Sequence, residues 1–179
     1  MTDRVALLRG INVGVAKRIA MADLRAVYEG LGFTRVATLL NSGNVVFSSD
    51  AAPDPAVVRA AVRAATGVDS EVVLLDGDTV RRIAADNPLR RPGRDPRRLS
   101  VAFAAAPLDP DTAVVPPPES LGAEELVVSR DAVYQWLPDG VTASRVPPAF
   151  WKALGPTVTA RNDATVLRIV ELLSARAAM

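Results

Sequence analysis

Apolar positions along this chain change their period several times, and each change predicts an element. Val5 to Leu8 is a short continuous apolar run ahead of Arg9, the pattern of a strand covered on both faces. In MADLRAVYEGLGF, Leu24, Val27, Tyr28 and Leu31 recur at i, i+3, i+4 and i+7, which predicts an amphipathic helix ended by Gly32. RVATLLNSGNVVFSS reads as two strands about a tight turn at Ser42-Gly43. DPAVVRAAVRAATGV predicts a second helix, with Asp54 as N-cap, Pro55 in the first helical position, a stripe of Val58, Ala61, Val62 and Ala65, and Gly67 as the stop. EVVLLD supplies a fourth strand. Residues 4–76 thus run β-α-β-β-α-β, the order of a ferredoxin-like unit with helices on one face of an antiparallel sheet.

The second half repeats the plan less cleanly. A helix in DGDTVRRIAADNPL, capped by Asp78 and stopped before Pro88, leads into the Arg- and Pro-rich LRRPGRDPRR. Leu99, Val101 and Phe103 alternate as a strand. LDPDTAVVPPPES then leaves room for one helical turn at most, ended by Pro116 to Pro118. A second hairpin turns near Arg130 to Ala132, PPAFWKALG is a short helix closed by Gly155, and TVTA is the last strand. In NDATVLRIVELLSARA, Val166, Ile169, Val170 and Leu173 share a helical face behind Asn162 as N-cap. The expected fold is α+β: two ferredoxin-like (βαββαβ) subdomains, antiparallel sheets with helices packed on one face, and an extra C-terminal helix. The expected division is residues 1–76, a connecting helix and Arg/Pro-rich loop over 77–98, and residues 99–179 with the final helix.

Composition narrows the chemistry. At 179 residues and 49% hydrophobic content, the chain is long enough for one or two compact cores. It has no His and no Cys, so a Ser-His-Asp triad, a thiol nucleophile and a Cys/His zinc site are excluded. Carboxylates, hydroxyls, Lys17, Lys152, Tyr28, Tyr134 and many arginines remain. No metal or cofactor is expected, and Glu124-Glu125 reads as the flank of a strand. Arg4 and Arg9 bracket an apolar run too short for a signal peptide or anchor, so a cytoplasmic protein without membrane contact is expected. A net charge of +1 gives no strong overall field. The local exception is Arg90, Arg91, Arg94, Arg97 and Arg98, readable as a solvated connector or as a phosphate-contacting loop.

The segments VALLRGINVG, MADLR, LGF, SGNVVF and TARNDATVLRIVELL, in this order, resemble the bacterial family called domain of unknown function 1697. The resemblance spans nearly the whole chain. It implies two α+β subdomains of ferredoxin-like character and assigns no activity. The family pattern LRGINVGG matches from Leu8 to Gly14, with Val15 in place of its last glycine. QSGNV matches with Asn41 replacing Gln, leaving Ser42, Gly43 and Asn44 in register. TTRNWNTV matches from Thr159 to Val166, with Ala160, Asp163 and Ala164 replacing Thr, Trp and Asn, so no aromatic stacks there. The family's SK appears as Ser144-Arg145, which keeps the charge.

These polar loops supply the candidate site. Around Arg9, Gly10, Asn12 and Gly14, glycines turn backbone N–H groups outward, while Lys17 and Arg18 bring charge near a helix start, a combination suited to an anion. The spacing matches neither a P-loop nor a dinucleotide fingerprint. Ser42 and Asn44 in the hairpin, and Arg161, Asn162 and Thr165 at the last helix, complete the anion-binding set. Each group also has a purely structural reading: turn residues in NSGN, and an Asn162 cap beside an exposed Arg161 in TARNDAT. Two functions stay open. One is a protein that binds a phosphate- or carboxylate-bearing small molecule or nucleic acid. The other is an enzyme acting on such a molecule by electrostatic stabilisation, with Arg9, Lys17 or Arg161 as stabilisers and Ser42 or an acid as participant. The strand VALLR carries no aromatic and NVVFSS only Phe47, so a stacking platform for RNA is not expected.

Overall fold

A computed structural model describes residues 1–13 and 17–178. The chain divides into two compact units, residues 1–81 with 171–179, and residues 82–170. Among the described residues, no helix is long and apolar enough to cross a membrane.

The first unit contains β1 (Thr2–Leu8), α1 (Met21–Gly30), β2 (Thr34–Leu39), β3 (Asn44–Ser49), α2 (Pro55–Thr66) and β4 (Val72–Asp76). Its sheet has the order β2-β3-β1-β4, antiparallel throughout, with Val5 opposite Val46 and Leu75. This is the ferredoxin-like arrangement expected from element order. Even-numbered β1 residues Ala6 and Leu8 join Leu24 and Tyr28 of α1, Val45 and Phe47 of β3, and Val58 and Val62 of α2 in one core. Tyr28, Phe33 and Phe47 form its aromatic centre, with Phe33 stacked on Phe47 at 4.6 Å. Asp54 caps α2 by accepting the Ala56 N–H at 2.8 Å, and Gly67 ends the helix in the left-handed conformation. Of the expected α2 stripe, Ala65 is exposed; the helix buries Val58 and Val62.

Val5, Leu7 and Val73 on the opposite sheet face are buried as well, as the continuous apolar run of β1 predicts. There the last residues of α6 (Asp163–Ala177) belong to this unit. The Arg176 guanidinium donates to the Ser48 hydroxyl, the Asp3 carboxylate and the Val46 carbonyl. Arg35 donates to the same Ser48 and Asp3 from a bulged stretch of β2.

The second unit repeats the topology. After α3 (Gly77–Ala85) come β5 (Leu99–Ala104), α4 (Pro118–Leu121), β6 (Glu125–Val128), β7 (Ala132–Trp136), α5 (Pro148–Ala153) and β8 (Val158–Asn162), with sheet order β6-β7-β5-β8. Its core gathers Ala102, Ala104, Leu108, Leu121, Val133 and Phe150. Two local expectations change. Pro116 to Pro118 precede the short helical turn instead of ending it, because Pro118 occupies the first helical position, where a missing N–H costs nothing. Asp78 lies inside the first turn of α3 and bonds Arg81, since the helix starts at Gly77 directly after β4.

The arginine loop is mostly exposed, yet every one of its guanidinium groups has a partner inside the protein. Arg90 grips Asp163 with two hydrogen bonds at 3.0 and 2.9 Å. Arg91 and Arg94 both reach Glu125, and Arg94 lies 4.7 Å over the Trp136 ring. Arg97 pairs with Asp95, and Arg98 donates to the Pro138 carbonyl. Glu124 accepts from the Ser144 hydroxyl and the Arg145 N–H, so both glutamates of the pair are structural acceptors.

Candidate functional site

Two sequence motifs some thirty residues apart meet at one end of the first sheet. β1 leaves that end at Leu8, whose N–H donates to the Gly43 carbonyl at 2.9 Å. Gly43 has φ +76, and a Cβ there would lie 2.7 Å from Ile11 Cδ1 and 2.9 Å from Leu8 Cβ. The Ile11 side chain therefore occupies the space that any other residue at 43 would fill, and only glycine suits both the conformation and the contact. Asn44 is buried and donates to the Leu39 carbonyl and the Ser42 hydroxyl, closing the hairpin from inside. Ser42, Gly43 and Asn44 are thus parts of a packed joint.

Asn12 locks the other side of this joint. It sits at φ +55, a conformation asparagine tolerates better than most residues. Its Nδ2 donates to the Asn41 carbonyl at 2.7 Å and the Ile19 carbonyl at 3.0 Å, while its Oδ1 accepts the Ile19 N–H at 2.8 Å. Its backbone N–H donates to the Lys17 carbonyl. The loop between β1 and α1 is therefore pinched shut at its base and tied to the hairpin. Arg9 is exposed and pairs with Glu71 at 2.9 Å, and Gly10 adopts a left-handed turn in open space. Gly14 lies outside the described residues.

Beside the pinch is a groove of about 460 Å³ lined by Asn12, Arg18, Ile19, Ala20, Met21 and Asn41. α1 begins at its wall, and Ala20, in the N-cap position, offers no side-chain acceptor to the first helical N–H groups. Lys17 and Arg18 are exposed, and among the described residues neither forms an ion pair. Asp23, exposed in the first turn of α1, is the nearest carboxylate in sequence. Arg18 and Asn41 are the residues a reading of motif glycines and asparagines undervalues. The adjacency of Lys17-Arg18 to a helix start was the usable signal.

In the second unit, β8 places Thr159 and Arg161 inward and Ala160 and Asn162 outward. Arg161 is 8% exposed, against the exposed position expected of it, because its strand alternation points it into the fold. It donates to the Thr159 hydroxyl and the Ala160 carbonyl, and burial pushes its pKa down to about 10, which leaves it charged at neutral pH. Asn162 Oδ1 accepts the Thr165 N–H at 2.9 Å, the cap expected for α6. Asp163 is fully buried in the first turn of that helix, where its carboxylate accepts two hydrogen bonds from Arg90. The pairing of Arg90 with Asp163 across the unit is invisible to local patterns.

Comparison with known proteins supports the fold and the family. No curated protein matches the sequence. The solved structure of conserved bacterial protein SP0830 from Streptococcus pneumoniae is similar over 96% of this chain and 98% of its own, at a TM-score of 0.68 and 23% identity. That likeness supports the shared fold. A family model described as a protein of unknown function matches residues 1–134, and the chain accordingly belongs to the DUF1697 family.

Proposed function

We propose that the groove beside Asn12 binds a phosphate- or carboxylate-bearing ligand. The observation that carries this reading is the start of α1: a helix N-terminus without a side-chain cap opens beside a groove whose cation, Arg18, has no carboxylate partner among the described residues. Helix dipole, orphan N–H groups and guanidinium favour the same occupant. Asn12 and Asn41 serve as the scaffold that holds the wall in place, since both Asn12 amide donors are already used. Arg9, Gly10, Ser42 and Asn44 shape the joint below it. Lys17 adds charge from the rim. Arg161, Asn162 and Thr165 hold their own strand-to-helix junction, so the reading does not depend on them.

The test is calorimetric titration with inorganic phosphate, pyrophosphate and nucleoside phosphates. Arg18→Ala should weaken the best of these by about 1.5–3 kcal/mol, the value of a charge-assisted hydrogen bond, without changing the melting temperature. Equal binding to Arg18→Ala and wild type, or no binding by wild type, overturns the reading.

A further inference from the structure

The groove adjoins a wider basic surface. At the same end of the sheet, Arg9 N–H donates to the Glu71 carbonyl and the Ser70 hydroxyl donates to the Arg9 carbonyl, which sets the entry of β4 beside the exit of β1. Around this corner, Arg59 of α2 grips Asp69 with two hydrogen bonds at 2.5 and 2.8 Å, and Arg9 pairs with Glu71. Asp69 also feels the charges of Arg63 and Lys17, and Arg59 that of Glu71. Arg59 and Arg9 therefore pair with two carboxylates, Lys17 and Arg63 lie near enough to act on Asp69, and Arg18, next to Lys17 in the chain, lines the groove. Here five cations, Arg9, Lys17, Arg18, Arg59 and Arg63, are set against the carboxylates of Asp69 and Glu71, in a chain whose net charge is only +1.

Two aliphatic side chains stand at the same joint. Val13 follows Asn12 and is 71% exposed; Leu40 precedes Asn41 and is 42% exposed. Asn12 and Asn41 are bonded to one another, so Val13 and Leu40 flank a single contact. Neither side chain serves the core. We propose that this corner binds single-stranded nucleic acid, its phosphates running from Arg18 past Lys17 to Arg63 and its unpaired bases resting on Val13 and Leu40. The inference rests on the groove being an anion site. Several cations fit successive phosphates better than one small anion, and only an unpaired strand exposes base faces to aliphatic side chains. Without an aromatic platform, binding is salt-sensitive and tolerant of sequence.

The experiment uses fluorescence anisotropy of a labelled oligouridylate of about 12 nucleotides at ~50 to 200 mM salt. Wild type should bind with a log-log salt slope of about −2 to −3.5, from three to five phosphate contacts at roughly 0.7 each. The double variant Lys17→Glu, Arg63→Glu, with an unchanged melting temperature, should bind at least about tenfold more weakly, with a slope shallower by about 1.4. Its calorimetric response to pyrophosphate should weaken, because the rim charge of Lys17 is reversed, but persist, because Arg18 is intact. No oligonucleotide binding by wild type, or equal binding by the charge-reversed variant, overturns the inference. A retained pyrophosphate response in that case leaves the groove reading standing. Oligonucleotide binding that the double variant loses, together with a pyrophosphate response unaffected by Arg18→Ala, instead overturns the groove reading. Tighter binding of a duplex of the same length overturns the single-strand assignment.

Discussion

Replacing Tyr28 by Phe removes one oxygen from the centre of the first unit's core. The side chain is fully buried between Phe33 and Phe47, with ring centroids 6.0 and 5.2 Å away, and its hydroxyl has no hydrogen-bond partner among the described residues. A buried polar group left unpaired costs about 1–3 kcal/mol, whereas the ring's burial and edge contacts are the same for Phe. Tyr28→Phe should therefore stabilise the protein by about 1 kcal/mol after allowance for the small void left by the oxygen. Urea titration should show a higher midpoint at unchanged slope, and the melting temperature should rise by roughly 2–4 °C. A lower midpoint refutes the reasoning and shows that the hydroxyl is satisfied, most simply by a buried water. The same burial holds the Tyr28 phenol far above its ordinary value. Folded Tyr28 stays protonated where the unfolded chain ionises, so its contribution is complete below about pH 10 and is lost as pH rises above it. An alkaline titration should show its tyrosinate absorbance appearing together with unfolding, and the variant should resist base better than wild type.

Gly43→Ala meets both a left-handed φ and the Ile11 and Leu8 side chains, and should cost about 2–3 kcal/mol in chemical denaturation. Asn162→Ala removes the α6 cap and should cost about 1 kcal/mol, read the same way, while pyrophosphate affinity stays unchanged. Asp163→Asn should destabilise by about 1–3 kcal/mol, since a fully buried carboxylate and its two-bond grip on Arg90 are lost together; a neutral result would mean the loop is held by its other arginines. Burial alone would raise the Asp3 pKa, but the Ser48 hydrogen bond and the charges of Arg176 and Arg35 outweigh it and hold it below the ordinary value. Its stabilising contribution is present above about pH 4 and falls as pH drops through that lowered value, so Asp3→Asn should flatten the acid limb of a stability-versus-pH curve.

What the amino-acid sequence by itself determined is local: two βαββαβ orders, the helix caps of Asp54 and Asn162, the stop at Gly67 and the hairpin at Ser42-Gly43. These follow from periodicity, capping oxygens and glycine conformation, which act over a few residues and so leave their mark in short windows of sequence. Tertiary structure decided which groups those elements bring together. Arg161 reads as exposed in its motif and is buried because strand alternation turns it inward. The arginine loop reads as unbalanced charge, and Arg90, Arg91 and Arg94 find partners in Asp163, Glu125 and the Trp136 ring, which lie dozens of residues away. Asn12 reads as a binding group and spends its amide on the Asn41 and Ile19 carbonyls. A charged or amide side chain takes whichever partner the meeting of distant strand ends presents, and that meeting is a property of the packed sheet, not of any segment within it.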